Sequence, residues 1–211
     1  MSIFQTAQLT CPDCGARTEV QRCASVNADR RQDLRTAILD GTFQTAACSG
    51  CGARLRLPPH FTYLEVGRKL WIAAEPASEI ETWPAIEAHV FQVYDRSFGL
   101  GAAPIAQELA DGLLPRLVFG WAALREKLVC DELGLDDVTL ELLKMSVVRS
   151  VDGSPMADGS ELRLIGGDAG TLNLQWVVAE TEATLAALSV PRGVYDAIAA
   201  DPAPWAAARA V

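Results

Sequence analysis

Histidine is scarce in this chain: only His60 and His89 occur in 211 residues. They stand far apart, and neither an HExxH pair nor a nucleophile elbow is present, so the local signatures of zinc hydrolases and α/β-hydrolases are missing. The Gly-rich turn Ser97-Phe98-Gly99-Leu100-Gly101 lacks the strand–GxxxxGK–helix pattern that cradles phosphate. Basic residues are in deficit as well, with 18 Lys and Arg against 27 Asp and Glu and a net charge of −9. Binding a phosphate backbone requires a basic face. The densest basic pair of the N-terminal part, Arg30-Arg31, lies among acidic neighbours, so the charge argues against a nucleic-acid partner. No uninterrupted apolar run reaches the roughly 18 residues of a membrane span. The first residues, Met1 to Gln8, show neither the basic n-region nor the apolar h-region of a signal peptide. With no export signal, the cysteines are expected in a reducing cytosol.

Those cysteines are the chemistry that is present. Cys11-Pro12-Asp13-Cys14-Gly15 and Cys48-Ser49-Gly50-Cys51-Gly52 are two C-x-x-C-G turns, and Cys-x-x-Cys-Gly-Ala-Arg recurs at 11–17 and 48–54. Two residues between the cysteines let the backbone fold back so that both sulfurs converge. A glycine after the second Cys tolerates positive φ, which turns backbone N–H groups toward the sulfurs. Cys11, Cys14, Cys48 and Cys51 are therefore read as one structural zinc site with four thiolate ligands and no open position. Disulfides are the weaker reading without an oxidising compartment. A thioredoxin-like redox role would use one C-x-x-C beside a βαβ unit, not two matched turns. Each turn leads into a short extended stretch, Thr18-Glu19-Val20 or Leu55-Arg56-Leu57, as in two equivalent knuckles that each open a hairpin. Arg17 and Arg54 take equivalent places, where solvated surface positions are expected.

The stretch from about Thr10 to Ala74 resembles the CpXC domain family, a group of bacterial zinc-binding proteins. The features that match are Cys11-Pro12-Asp13-Cys14-Gly15, Val26-Asn27-Ala28, a short helix ending in Ile38-Leu39-Asp40-Gly41, the second turn, and Pro58-Pro59-His60-Phe61-Thr62-Tyr63. A looser likeness continues to about residue 148. Ser49 stands where the family motif has proline, a departure that leaves all four sulfurs in place. The resemblance implies zinc binding.

Along the chain, residues 1–10 and 19–25 read as strands, with Cys23 a buried thiol rather than a fifth ligand. Asn27 or Asp29 is expected to cap a helix over 29–40 that Gly41 ends. Phe61–Val66 and Lys69–Ala74 read as a hairpin that extends the ribbon's sheet through a type II′ turn at Gly67-Arg68. His60 reads as a loop histidine without a site. Thr82-Trp83-Pro84 opens a helix to about Arg96, with Ile86, Val90, Val93 and Tyr94 at helical spacing and His89 packed beside them. A short helix is expected from Pro104 to Gly112. A longer one is expected from Pro115 to Gly134, with Arg125, Glu126, Lys127, Asp131 and Glu132 on its polar side and Cys130 as a structural thiol. Asp136 or Asp137 caps another helix to about Val147, which accounts for the carboxylates there. Asp152–Pro155 reads as a turn, Glu161–Ile165 and Thr171–Val178 as strands, and Pro191–Ala200 as a helix. A Pro- and Ala-rich tail carries Trp205.

The expected fold class is α+β: residues 1–76 a zinc-ribbon-like antiparallel module with an inserted helix, 77–148 a helical subdomain, and 149–211 a C-terminal β-hairpin and helix. The expected role is a cytosolic protein-interaction or scaffold module, non-enzymatic, with one structural Zn²⁺ and another protein as partner. One alternative is an enzyme with a cleft between the zinc module and the C-terminal β part, near Tyr63, Trp71 and Trp176. Another is nucleic-acid binding through the ribbon.

Overall fold

The computed structural model describes residues 2–150, 155 and 157–201. The fold is mixed α+β, and the chain divides into two compact units, Met1–Trp121 and Ala122–Val211.

The first unit opens with β1 (Ile3–Thr10) and β2 (Arg17–Asn27), an antiparallel hairpin whose register runs unbroken from Phe4↔Cys23 to Thr10↔Arg17. The first C-x-x-C turn is the tip of this hairpin. Helix α1 (Gln32–Leu39) follows. Then β3 (Thr45–Ala47) and β4 (Arg54–Arg56) flank the second C-x-x-C turn as a separate two-stranded ribbon. β5 (Phe61–Glu65) and β6 (Leu70–Glu75) form the expected second hairpin. Helices α2 (Trp83–Phe98) and α3 (Pro104–Leu109) then cross over to β7 (Leu114–Phe119). The resulting sheet has the order β1-β2-β5-β6-β7, with β2–β5 and β6–β7 parallel. β6 is buried on both faces, which is why Trp71, Ile72, Ala73 and Ala74 form an apolar run without alternation. Trp71 and Ala73 pack against Val90 and Leu113, with Ile86, Val93 and Tyr94 of α2 beside them. Phe43, Phe61 and Trp121 make a second aromatic cluster, and the Trp121 indole N–H donates to Leu57 O at 3.0 Å.

The helix after β2 is shorter than its sequence signals. The Asn27 side chain accepts from Arg30 N. The Asp29 carboxylate accepts from Val66 N at 2.7 Å and Gly67 N at 3.0 Å. Neither caps α1, which begins at Gln32 without a side-chain cap. That carboxylate also sets the β5–β6 turn. Val66–Arg68 form a 3-10 turn and Lys69 takes φ +59°, in place of the type II′ turn expected at Gly67-Arg68. The other end of α1 is as read: Gly41 has φ +77°, with Gly41 N bonding Ile38 O and Thr42 N bonding Ala37 O, a Schellman closure. His89 is exposed on α2 rather than packed. Residues 114–119 are the edge strand β7, not the start of a helix. Pro115 lacks an N–H, which an edge strand tolerates. Gly120, at φ +83°, turns the strand into α4 (Gly120–Glu132).

The second unit holds the rest of α4, α5 (Asp137–Ser150), the antiparallel strands β8 (Ser160–Gly167), β9 (Thr171–Val178) and β10 (Thr184–Pro191), and α6 (Arg192–Ala200). The sheet order is β10-β9-β8, so a third strand joins the expected hairpin. β10 carries too little apolar alternation to announce itself: only Val190 is buried, with Ala186 and Leu188 half-buried. Asp136 caps α5, accepting from Thr139 N at 2.8 Å. Leu140, Leu143, Leu172 and Leu174 are fully buried and centre the core. Glu126, expected on the polar side of its helix, is 0% exposed. Its carboxylate accepts from Lys144 Nζ at 3.0 Å, Arg163 Nη1 at 2.8 Å and Leu164 N at 2.7 Å. Cys130 is buried and donates to Leu135 O. The turn expected at 152–154 and the tail with Trp205 lie outside the described residues.

Candidate metal centre

The two C-x-x-C turns repeat each other bond for bond. In the first, Gly15 N donates to Cys11 O at 2.9 Å and Cys11 N to Ala16 O at 2.9 Å. In the second, Gly52 N donates to Cys48 O at 2.9 Å and Cys48 N to Ala53 O at 2.7 Å. Gly15 and Gly52 sit at φ +73° and +77°, the left-handed backbone that this closure requires. The hairpin β1–β2 carries one knuckle and the ribbon β3–β4 carries the other.

The knuckles meet sulfur to sulfur. The Sγ atoms of Cys11, Cys14, Cys48 and Cys51 all lie within 4.8 Å of one another. Cys14 and Cys48 are 3.5 Å apart, and Cys11 and Cys51 are 3.7 Å apart. These separations are far beyond a disulfide bond of about 2.05 Å, and all six cysteines are free. The four sulfurs could hold a metal ion. Cys11 and Cys48 are buried beside Leu55, with Leu9, Ala16 and Ala53 around them, while Cys14 and Cys51 are exposed. Cys23 is buried elsewhere on β2 and donates to Ser25 O, and burial raises its thiol pKa. His60 pairs with Glu75, and neither belongs to the sulfur cluster.

Backbone N–H groups face the sulfurs. Hydrogen bonds from Cys51 and Gly50 pull the Cys48 thiol down to about 6, with Gly50 N lying 3.4 Å from Cys48 Sγ. At Cys51 the Ala53 N–H lowers the pKa, but the Cys14, Cys48 and Cys11 sulfurs outweigh it and push the thiol up to about 12. The Cys48 thiolate forms readily while Cys14 and Cys51 resist following, so a fully ionised set calls for a cation among the sulfurs.

Two residues beyond the ligands fit the knuckles together, and sequence reasoning missed both. Ser49 N donates to Thr18 Oγ1 at 3.1 Å, and Ser49 Oγ lies 3.2 Å from Arg17 O. The serine that replaces the motif proline thus ties the second knuckle to the return strand of the first, using an N–H that proline lacks. Gly50 sits where the knuckles are closest: a Cβ there would lie 2.9 Å from Ala16 Cβ and 3.0 Å from Cys14 Sγ. The first knuckle has Asp13 at the equivalent position, and that contrast was the only sequence signal of the close approach. Arg54 donates to Gly41 O and so closes the end of α1 rather than the sulfur site. Arg17 is exposed.

The family model for CpXC proteins matches residues 9–144, from the end of β1 into α5. The chain belongs to the CpXC family. No curated protein and no solved structure matches it. The family match covers both knuckles and ends before the three-stranded sheet.

The aromatics named for an enzyme cleft are placed individually. Tyr63 is fully buried and donates to Glu65, and Trp71 packs edge-on against Tyr94 at 5.1 Å. Trp176 lines a cleft of about 340 Å³ in the second unit, with Lys144, Glu161 and Arg163 on its walls. Those charged groups bond one another or Glu126, and among the described residues no histidine, cysteine or hydroxyl side chain lines the cleft. Among the described residues, no helix is long and apolar enough to cross a membrane.

Proposed function

We propose that the four sulfurs hold one Zn²⁺ as a closed structural site, and that the protein is a cytosolic, non-enzymatic interaction module built on it. The observation that carries the metal assignment is the sulfur geometry. A tetrahedral ion with Zn–S bonds of about 2.3 Å sets its ligands about 3.8 Å apart, and the Cys14–Cys48 and Cys11–Cys51 sulfur pairs lie at 3.5 and 3.7 Å. An all-thiolate donor set suits a soft or borderline ion and leaves no position for a substrate. Zinc here binds two knuckles carried on hairpins 34 residues or more apart in the chain, so its binding energy becomes folding energy.

The interaction role is supported by the charge balance and by the exposed apolar side chains of the first unit, among them Trp83, Phe91 and Ile105. The expected partner is another protein. Elemental analysis of the purified protein checks the first half: one zinc per chain is expected, and a metal-free protein with dispersed or bridged sulfurs refutes the site. Affinity capture from the native host with quantitative mass spectrometry checks the second, and recovery of no stoichiometric partner counts against it.

A further inference from the structure

The two edges of the five-stranded sheet differ in how they are guarded. Natural sheets protect exposed edges with charge, proline, bulges or brevity, because unpaired backbone N–H and C=O groups invite another strand. β7, at one edge, carries Pro115 and Arg116. β1, at the other, is Ile-Phe-Gln-Thr-Ala-Gln-Leu-Thr, with no charged residue, no proline and no glycine. Its side chains are exposed except for the half-buried Ala7 and Leu9, and its pairing with β2 has a register shift at Ile3/Phe4 and is unbroken from there to Thr10. In the three-stranded sheet, β8 bears Glu161 and Arg163 and has a register shift at Leu164/Gly166, while β10 has one at Thr184/Ala186 and ends on Pro191. β1 therefore holds the longest unguarded edge among the described residues.

We propose that β1 is a self-association surface, on which two copies of this chain pair their β1 strands antiparallel about a two-fold axis and join their sheets. The neutrality of the strand selects a second copy as the occupant. An isologous interface sets each surface against itself, and any charge on β1 would meet its own kind near the axis. An axis perpendicular to the joined sheet must fall on a residue, because facing side chains in an antiparallel pair share a face. Centred on Thr6, the pairing sets threonine against threonine, a favourable cross-strand pair. Ile3 then faces Leu9, and Gln5 faces Ala7. Centring on Ala7 would set Leu9 against Gln5 instead. A lone strand pair buries less than the ~1,600 Å² of a standard interface, so the dimer is a reversible one. The proposal does not rest on the identity of the metal.

Sedimentation equilibrium on the full-length, metal-loaded protein tests it, with Thr6→Lys and Thr6→Glu as variants. Thr6 is exposed and accepts only a 3.3 Å bond from Gln21, so metal content should be unchanged in both. Wild type is expected to show a concentration-dependent monomer–dimer equilibrium. Each variant alone should associate at least about tenfold more weakly, through like charges facing across the axis. An equimolar mixture of the two should regain dimer, with lysine facing glutamate. A wild type that stays monomeric through high micromolar concentration overturns the proposal and leaves the edge to a strand of another protein. Variants that dimerise as well as wild type, or a mixture no tighter than either variant alone, overturn it equally.

Discussion

The half-buried sulfur centre of the first unit and the fully buried Glu126 hub of the second both gather negative charge, and they balance it from opposite sources. Glu126 is countered by Lys144 and Arg163, cations carried by the chain itself, so the hub is complete once α4, α5 and β8 have packed. The sulfurs have no such partners among the described residues: Arg54 is spent on Gly41 O, and the remaining polarity at the site comes from backbone N–H groups. A self-contained ion cluster ties stability to packing. A cluster that needs an external ion ties it to metal supply and to proton competition.

Removing the proposed zinc is the sharpest way to break the comparison. A strong chelator, or Cys11→Ser, should abolish hydrogen-exchange protection of the knuckle amides Gly15, Cys48 and Gly52, by roughly two orders of magnitude or more, since binding energy there is folding energy. The Leu164 amide, which donates to Glu126, should keep its protection. Loss of protection at both places, or at neither, would show that the two regions do not differ as argued.

The converse experiment is Glu126→Ala, which removes the buried carboxylate from the hub and leaves Lys144 with the exposed Glu141 and Arg163 with Glu161. Breaking a buried pair in this way costs about 3–5 kcal/mol. Exchange at Leu164 should speed up accordingly while zinc content stays constant. Acid separates the regions in the same sense. Burial alone would raise the Glu126 pKa, but Lys144 first, then Arg163 and the Leu164 N–H, hold it below the usual carboxylate range. A depressed folded value means that its stabilisation is present above the unfolded pKa and is lost only as pH falls through the folded one. Protons compete for the sulfurs from higher pH. On acidification, zinc release read by a chromogenic chelator should precede the loss of Leu164 protection.

This difference also governs what could be read from the residues. The sulfur site was legible because its chemistry is local: four cysteines, two glycines and a fixed spacing. The Schellman closure at Gly41 and the Asp136 cap were legible for the same reason. Glu126 was not, since a glutamate between Arg125 and Lys127 looks solvated until α5 and β8 supply its partners. Asp29 misled in the same way: its carboxylate reaches Val66 and Gly67 across 37 and 38 residues, which starts α1 late and reshapes the β5–β6 turn. β7 was hidden by Pro115, a helix-start signal that an edge strand can also carry.

Substitutions that replace none of the four cysteines sharpen the comparison on the metal side. Gly50→Ala places a methyl 2.9 Å from Ala16 Cβ, so one knuckle must shift against the other. Overpacking of this kind costs about 1–3 kcal/mol. In competition titration, zinc affinity should fall about tenfold to a hundredfold. An unchanged affinity would mean that the knuckles are not held at the closeness seen here.

The smallest effect expected is that of Ser49→Pro, which restores the family motif. Pro12 occupies the equivalent position in the first knuckle, and that turn makes the same backbone hydrogen bonds as the second, so the turn itself accommodates a proline ring. What Ser49→Pro removes is the N–H that donates to Thr18 Oγ1 at 3.1 Å, together with the exposed hydroxyl bond to Arg17 O at 3.2 Å. A single intramolecular hydrogen bond is worth about 1 kcal/mol, or roughly fivefold in zinc affinity. Thr18→Val deletes the same bond from the other side while keeping the shape of the buried side chain. If the bond is what joins the knuckles, the double variant should cost little more than Ser49→Pro alone, a coupling close to the whole effect of Thr18→Val. Additive losses would instead assign Ser49 and Thr18 separate roles, and the metal alone would then hold the two knuckles in register.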